Sequence, residues 1–487
     1  MNGAIDYGQL FTATVPETIL EVVSLLILIV DIGLLRKSAR ATRMAVACLL
    51  GVVGCGLSVS WLGGYGTVWY VPDAPLQYGP QLVAAQIGIL LLTALVLLLS
   101  LKAEFTRNPG EFVAIVLLAT TGMLLVTAAR DLLVIFVALE LLSLSLYVLT
   151  AFSKSSAQSA EAALKYYLFG GMSAALMLFG FSYLYGLTGT TNLSQMTYPL
   201  SGESMPLAVV ALVLVAAGLG FKVAAVPFHL WAPDTYQGAP APVTALIASG
   251  SKVASFALLV AITDGMIAPP SSETGNGLWI VLLLAMAAAS IVLGNLAALV
   301  QTSVRRLLAY SAIAHAGYML LGIAAHTAQS AAAVLYYVLT YALTTVGAFG
   351  VIAIVERNAG SDRLDAFAGL SRRNPLLAGT MLLYLLSLAG IPPLVGFWAK
   401  FNLFAAVLRA TTASQWALPF VAAALAASAV SLYYYLQVLK RIYVLKPVHE
   451  EPMQVSFVEL AVLVLIALAV ALLGIFPGAL SAWVPPG

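Results

Sequence analysis

The chain has 487 residues, 62% of them hydrophobic and only 9% charged, with a formal net charge of +2 and a mean hydropathy of +1.00. A soluble domain carries about 25% charged residues, and no polar stretch here is long enough to build one, so a soluble enzyme is excluded. The near-neutral balance also argues against nucleic acid as a partner.

In chain order, apolar runs of the length of a spanning helix recur from end to end. Polar or Gly/Pro breaks divide them into fourteen spans, at about 17–36, 41–62, 82–102, 112–129, 131–152, 161–187, 205–226, 241–265, 276–298, 303–325, 330–355, 376–410, 416–441 and 456–476. This predicts an all-α polytopic membrane protein. At its start, Pro16, Glu17 and Glu21 stand where a cleavable signal would be basic.

The second span holds Cys48 and Cys55, the only cysteines, two helical turns apart and too distant for a disulfide. They read as small packing residues. Without four cysteine ligands for an iron–sulfur cluster or a Gly-rich phosphate loop, any redox cofactor belongs on another chain. The longest outer loop, 61–81, contains Asp73 but no lysine or arginine, which leaves little for an enzyme acting on lipid-linked substrates.

The fifth span contains Glu140, about nine residues in, which is roughly 14 Å deep in a core of about 30 Å. The seventh ends near Lys222, followed by Pro227 and the loop Pro233–Pro242. The eighth carries Lys252 about eleven residues in, and the tenth carries His315 at mid-span. The twelfth is too long for one crossing; Pro392-Pro393 interrupts it just before Lys400, because proline removes a helical hydrogen bond.

Placing the amino terminus outside puts seventeen of the 22 basic residues, from Arg36 to Lys446, in loops on the cytoplasmic side. The outer side receives only Arg130 and Arg409. The remaining three, Lys222, Lys252 and Lys400, fall inside apolar spans. This asymmetry predicts fourteen spans with both termini on the periplasmic side.

A lysine at a helix centre costs about 2.5–3.5 kcal/mol on insertion scales. Lys165 begins a span and can snorkel to the interface, and Glu21, Asp31, Asp131 and Asp264 lie near span ends and read as structural. The midplane set of Glu140, Lys222, Lys252 and Lys400 reads as functional instead. Burial disfavours an ammonium and a nearby carboxylate favours it, so a carboxylate that approaches and withdraws can load and unload a lysine. Glu140 and Lys222 supply one such possible pair. His315 fits either a relay between lysine sites or a satisfied interior histidine. His229 fits a relay or a cap, and His326 and His449 read as solvated loop residues. Four scattered histidines make no metal site.

Each proline break lies within about two turns of a buried lysine, as in transporters whose broken helices line cavities near the midplane. Spans 4–8 (112–265) and 9–13 (276–441) then form two five-helix units, each with a broken helix, flanked by a three-helix segment (1–111) and a final helix (442–487). A unit with an odd number of helices, repeated in tandem, reappears inverted.

These residues resemble the antiporter-like subunits of respiratory complex I, the proton-translocating NADH:quinone oxidoreductase, and among them subunit N, equivalent to mitochondrial subunit 2. The resemblance runs over nearly the whole chain. It rests on Leu139-Glu-Leu-Leu-Ser-Leu-Ser-Leu-Tyr147, Ala162-Ala-Leu-Lys-Tyr-Tyr167, Gly186-Leu-Thr-Gly-Thr-Thr191, Phe221-Lys-Val-Ala-Ala-Val-Pro-Phe-His-Leu-Trp-Ala-Pro-Asp234, Leu308-Ala-Tyr-Ser-Ala-Ile-Ala-His-Ala-Gly317 and Gly390-Ile-Pro-Pro-Leu-Val-Gly-Phe-Trp-Ala-Lys400. The M type carries glutamate where Lys400 stands, and the L type adds a long carboxy-terminal helix for which no residues remain after the last span.

The resemblance implies that Glu140 pairs with Lys222, that Lys252 passes protons along a central axis with His315 possibly on it, and that Lys400 is the terminal lysine. It also implies no cofactor on this chain, with FMN, iron–sulfur clusters and quinone on partner subunits. Proton movement would be coupled to quinone reduction elsewhere in the complex. The partners implied are the other membrane-arm subunits in a bacterial inner membrane. The alternative is a subunit of a multisubunit sodium/proton antiporter, which shares the lysine and broken-helix framework.

Overall fold

The computed structural model describes residues 7–64, 75–196, 205–266, 275–410, 413, 415–447 and 451–484. Asp73 and His449 lie outside the described residues. The chain runs through α1 (Tyr7–Ala13), α2 (Val15–Ile29), a π-helical extension (Val30–Leu34), α3 (Arg40–Gly64), α4 (Pro80–Leu99), α5 (Pro109–Ala128), α6 (Leu132–Thr150) and α7 (Ala157–Thr188). It continues with α8 (Met205–Val223), α9 (Trp231–Gly238), α10 (Ala241–Ala248), α11 (Gly250–Met266), α12 (Gly275–Leu299), α13 (Val304–Ala325) and α14 (Ala328–Ala359). It closes with α15 (Leu370–Arg373), α16 (Pro375–Ala389), α17 (Val395–Arg409), α18 (Ala417–Tyr443), α19 (Phe457–Ile475) and α20 (Gly478–Ser481). Among the described residues, β pairing is confined to isolated bridges.

Among the described residues, twelve helical segments are long and apolar enough to cross a membrane. Two further expected spans fall on α2 with its π extension and on the pair α16 and α17, whose separate lengths are 15 residues each. The core lies along α10–α11, α13 and α14: 94%, 94% and 83% of their apolar stretches are buried, against 28% for α18. These central helices carry Lys252 and His315, so the fold wraps its polar interior rather than exposing it.

Local sequence explains where the helices begin. Asp131 caps α6 by accepting from the amides of Leu133 (2.9 Å) and Val134 (3.3 Å). Ser156 caps α7, Ser303 caps α13, Asn374 caps α16, and Thr327 forms a capping box with Ser330 on α14. Asp31 accepts a bidentate pair from Arg43 (2.7 and 2.6 Å) and the Gly110 amide (3.2 Å). Asp31 and Asp131 thus have the structural roles expected near span ends.

One local arrangement occurs twice. Helix α7 has 32 residues, ends on Gly189 at φ 71°, and leads to a bridge between Asn192 and Asp131, the cap of α6. Helix α14 has 32 residues, ends on Gly360 at φ 66°, and leads to a bridge between Arg363 and Ser303, the cap of α13. Side-chain bonds reinforce both, Thr191 to Asp131 and Ser303 to Asp362.

Several sequence expectations need correction. The segment 233–242, expected as a loop, is largely helical as α9, whose Trp231 and Tyr236 are buried. The span 241–265 is present as one apolar stretch, with a break the sequence did not show at Ser249 (φ −116°, ψ −90°). The Ser249 hydroxyl donates back to the Ala245 carbonyl (2.5 Å), a bond that competes with helix geometry. At Gly250 a Cβ would lie 2.8 Å from Met123 Sδ, so a side chain there would displace the Met123 thioether of α5. Lys165, expected to snorkel to the interface, is 39% exposed and pairs there with Glu161 and Asp234, both at 2.7 Å. His326, expected to be solvated, meets Asp264 at 3.2 Å.

Candidate functional site

The first break follows Lys222. Helix α8 ends at Val223, Ala224 takes a left-handed conformation (φ 58°), and the amide of Val226 donates to Ser290 (2.9 Å). The Trp231 indole donates to the Phe221 carbonyl (3.0 Å), satisfying part of the exposed helix end. Lys222 donates to the Ser143 hydroxyl on α6, and Ser143 donates to the Leu139 carbonyl. Glu140 lies one turn before Ser143, and its Oε1 is buried with no hydrogen-bond partner. Ser143 holds the ammonium, and no ion pair joins Glu140 and Lys222 among the described residues.

Just beyond the break, Asp234 on α9 accepts from Lys165 of α7 (2.7 Å) and Arg306 of α13 (2.6 Å). Burial works against its charge, but these two bonds hold its carboxyl below the usual aspartate range. Arg305 donates to the carbonyls of Gln237 (2.9 Å) and Ala239 (2.6 Å), fixing the other end of α9.

The second cluster is central. Lys252 is 2% exposed; its Nζ donates to the Ala312 carbonyl (2.7 Å) and lies 5.4 Å from the Tyr341 ring centroid. One turn along α13 from Ala312, His315 sets Nδ1 2.8 Å from the Tyr337 hydroxyl and Nε2 3.3 Å from that of Tyr435. Ser311 shares the Tyr435 hydroxyl.

The third cluster sits at the second break. Helix α16 ends at Ala389, and Gly390 turns the chain at φ 88°, a conformation that excludes most side chains. Lys400 on α17 donates to the carbonyls of Leu388 (3.1 Å) and Ala389 (2.9 Å) and to the Ser428 hydroxyl (2.8 Å). It thus supplies the cation that the carbonyl end of a helix attracts. Its Nζ lies 5.6 Å from the Tyr318 ring, whose hydroxyl accepts from Asn295 (3.0 Å), which in turn accepts from Tyr434 (3.2 Å).

A cavity of about 10 Å³, measured as the space open to a water's centre, joins the second and third clusters. His315, Tyr337 and Tyr341 line one side, Ser387, Leu388 and Gly396 the other. This is room for about one water. Hydroxyls and a neutral imidazole each donate and accept, so His315, the tyrosines and that space can hand a proton along where a fixed ammonium alone cannot. The Lys222 cluster shares no hydrogen-bonded side chain with the Lys252 cluster among the described residues.

Sequence reasoning singled out Glu140, Lys222, Lys252, His315 and Lys400. It missed Ser143, Tyr337, Tyr435, Ser428, Tyr318 and Asn295. A scan for side chains with hydrogen-bonding tips in mid-span would have found Asn295 and the tyrosines. Among the described residues no group of His, Cys, Asp and Glu is arranged to hold a metal, and both cysteines are free and buried.

The model of the NADH:quinone oxidoreductase/Mrp antiporter transmembrane family matches residues 129–426, which include all five residues singled out. The chain belongs to this family. Within it, the chain is 48% identical to the NADH-quinone oxidoreductase subunit N 2 of Acidobacterium capsulatum, over 98% of this chain and 99% of that relative. A chain of respiratory complex I from Thermus thermophilus superposes with a TM-score of 0.80 at 35% identity, covering 96% of this chain and 98% of that one. A chain of the Mrp complex from Dietzia sp. shares the fold, with a TM-score of 0.78 at 22% identity over 96% of both chains. The chain is thus an antiporter-like, multi-pass membrane protein of the subunit N type.

Proposed function

We propose that this chain is a proton-translocating membrane-arm subunit of respiratory NADH:quinone oxidoreductase. Protons move through Glu140, Lys222, Lys252, His315 and Lys400, coupled to quinone reduction on other subunits that also carry FMN and iron–sulfur clusters. The observation that carries this reading is the company of the three lysines. Lys252 and Lys400 are buried and Lys222 partly so, and each ammonium is held by neutral oxygens, Ser143, the Ala312 carbonyl, or the Leu388 and Ala389 carbonyls with Ser428. A charge compensated this weakly in an apolar interior is expensive. A modest change in the neighbouring field therefore decides whether it keeps its proton.

In this reading Glu140 supplies such a change at Lys222, and His315 with the adjoining cavity links Lys252 to Lys400. The recurrence of the capped bridge at Asp131 and at Ser303 supports two five-helix units, 112–265 and 276–441, in inverted orientation. The path between the two bridges crosses the bundle three times, by α8, α10–α11 and α12, which puts them at opposite ends. The distribution of lysine and arginine supports a bacterial inner-membrane orientation with both termini periplasmic.

Purification in mild detergent tests the assignment. A large assembly containing flavin, iron–sulfur clusters and inhibitor-sensitive NADH:quinone activity is expected. An assembly without redox centres that exchanges sodium for protons overturns it in favour of the Mrp-type antiporter.

A further inference from the structure

Helix α2 turns a stripe of side chains outward, among them Val22, Leu25 and Ile29, 58%, 60% and 67% exposed. The adjacent α3 has an exposed row of its own, Leu49, Val53 and Leu57, spaced by four residues and each more than half exposed. Lipid covers such an apolar surface as well as protein does. Glu21 sits on the same stripe and is exposed. It lies six residues after Val15, about 9 Å along the helix; Ser58 and Trp61, late in α3, donate to the Pro16 and Thr12 carbonyls (3.1 and 3.2 Å), so Glu21 stands deeper in the bundle than the span end where the sequence placed it.

A carboxylate facing hydrocarbon needs a counter-charge. The chain offers none nearby: no lysine or arginine occurs in residues 1–35 or 44–101. Glu21 is in no ion pair among the described residues. One turn earlier, Glu17 is 3% exposed and neither of its carboxylate oxygens has a hydrogen-bond partner. Two acidic groups therefore stand one turn apart on α2, in no ion pair among the described residues.

We infer that the α2–α3 face docks a transmembrane helix of another subunit, and that this helix presents a lysine or arginine to Glu21. The charge complementarity selects a basic helix over lipid, while the apolar stripe supplies the packing surface on either side. The inference deepens the partner part of the proposed function, and its test reads contact rather than proton movement.

The test places a photoreactive amino acid at Leu25 in the intact, purified complex and sequences the adducts. The expected result is one discrete adduct with a membrane subunit, at a helix whose lysine or arginine lies within a turn of the cross-linked position. Glu21→Lys should lower that adduct at least fivefold, while Glu21→Asp retains it. If Glu21→Lys abolishes assembly, the sequence of the unmutated adduct still decides. Lipid adducts alone, a cross-linked helix without a basic residue, or an adduct indifferent to Glu21→Lys would overturn the inference. A chain that purifies outside any redox complex fails the functional reading instead, and the two failures are distinct.

Discussion

The two proline breaks solve the same problem differently. At the first, Lys222 is held by a single hydroxyl, Ser143, one turn from the partnerless Glu140 oxygen, and the broken helix end is met by an indole. At the second, Lys400 itself satisfies the helix end through two carbonyls and adds Ser428, with no ion pair to a carboxylate among the described residues. One lysine sits beside a charge that can tune it; the other is part of the scaffold around its own break. Removing the two should therefore separate function from stability.

The largest effect is expected at Lys400→Met, which strands two carbonyls at a cost of about 1–3 kcal/mol each. Thermal unfolding of the purified complex should shift downward along with loss of pumping. An unchanged transition would mean the carbonyls find water, and the scaffold role would fall. Lys222→Met gives up only the Ser143 bond, so about 1 kcal/mol of stability is expected, again with loss of proton movement. If it destabilises as much as Lys400→Met, the contrast between the breaks disappears.

Glu140→Gln leaves Ser143 in place and should preserve assembly while lowering protons moved per NADH in proteoliposomes. Full pumping in assembled complex would remove Glu140 from the path. The smallest effect is expected at Asp234→Asn, beside the first break. Its half-exposed ion pairs contribute about 1 kcal/mol. Because the folded carboxyl is held below its ordinary value of about 3.9, this contribution is fully present above that pH and is lost as pH falls through the folded value. The stability difference from wild type should stay flat between pH 5 and 8 and shrink only below about pH 4. A difference that varies near pH 7 would contradict the assignment.

The parts legible in the sequence were those with a strong contrast against an apolar background. Lys222, Lys252, Lys400 and Glu140 stood out because charge is rare in such runs, and the breaks because proline cannot continue a helix. The partners of the lysines were not legible, since Ala312, Leu388 and Ala389 contribute backbone carbonyls, which any residue has. The tyrosines around His315 come from α14 and α18, so only tertiary packing brings Tyr337 and Tyr435 to one ring. The Ser249 kink was hidden because a Ser-Gly pair is ordinary in a membrane helix. The helical α9 was hidden because prolines at both ends of 233–242 read as a loop. Glu17 looked like the edge of a span until the fold buried it.

The measurement that tests the central claim most directly is the number of protons moved per NADH oxidised by Lys252→Met complex in proteoliposomes. Lys252→Arg and assembly by native gel serve as controls. Lys252 stands at the centre, held by the Ala312 carbonyl beside His315. The account predicts an assembled complex that still oxidises NADH with an artificial acceptor but moves fewer protons per electron. An assembled Lys252→Met complex with the wild-type ratio would contradict it, and the buried lysines would then be packing residues.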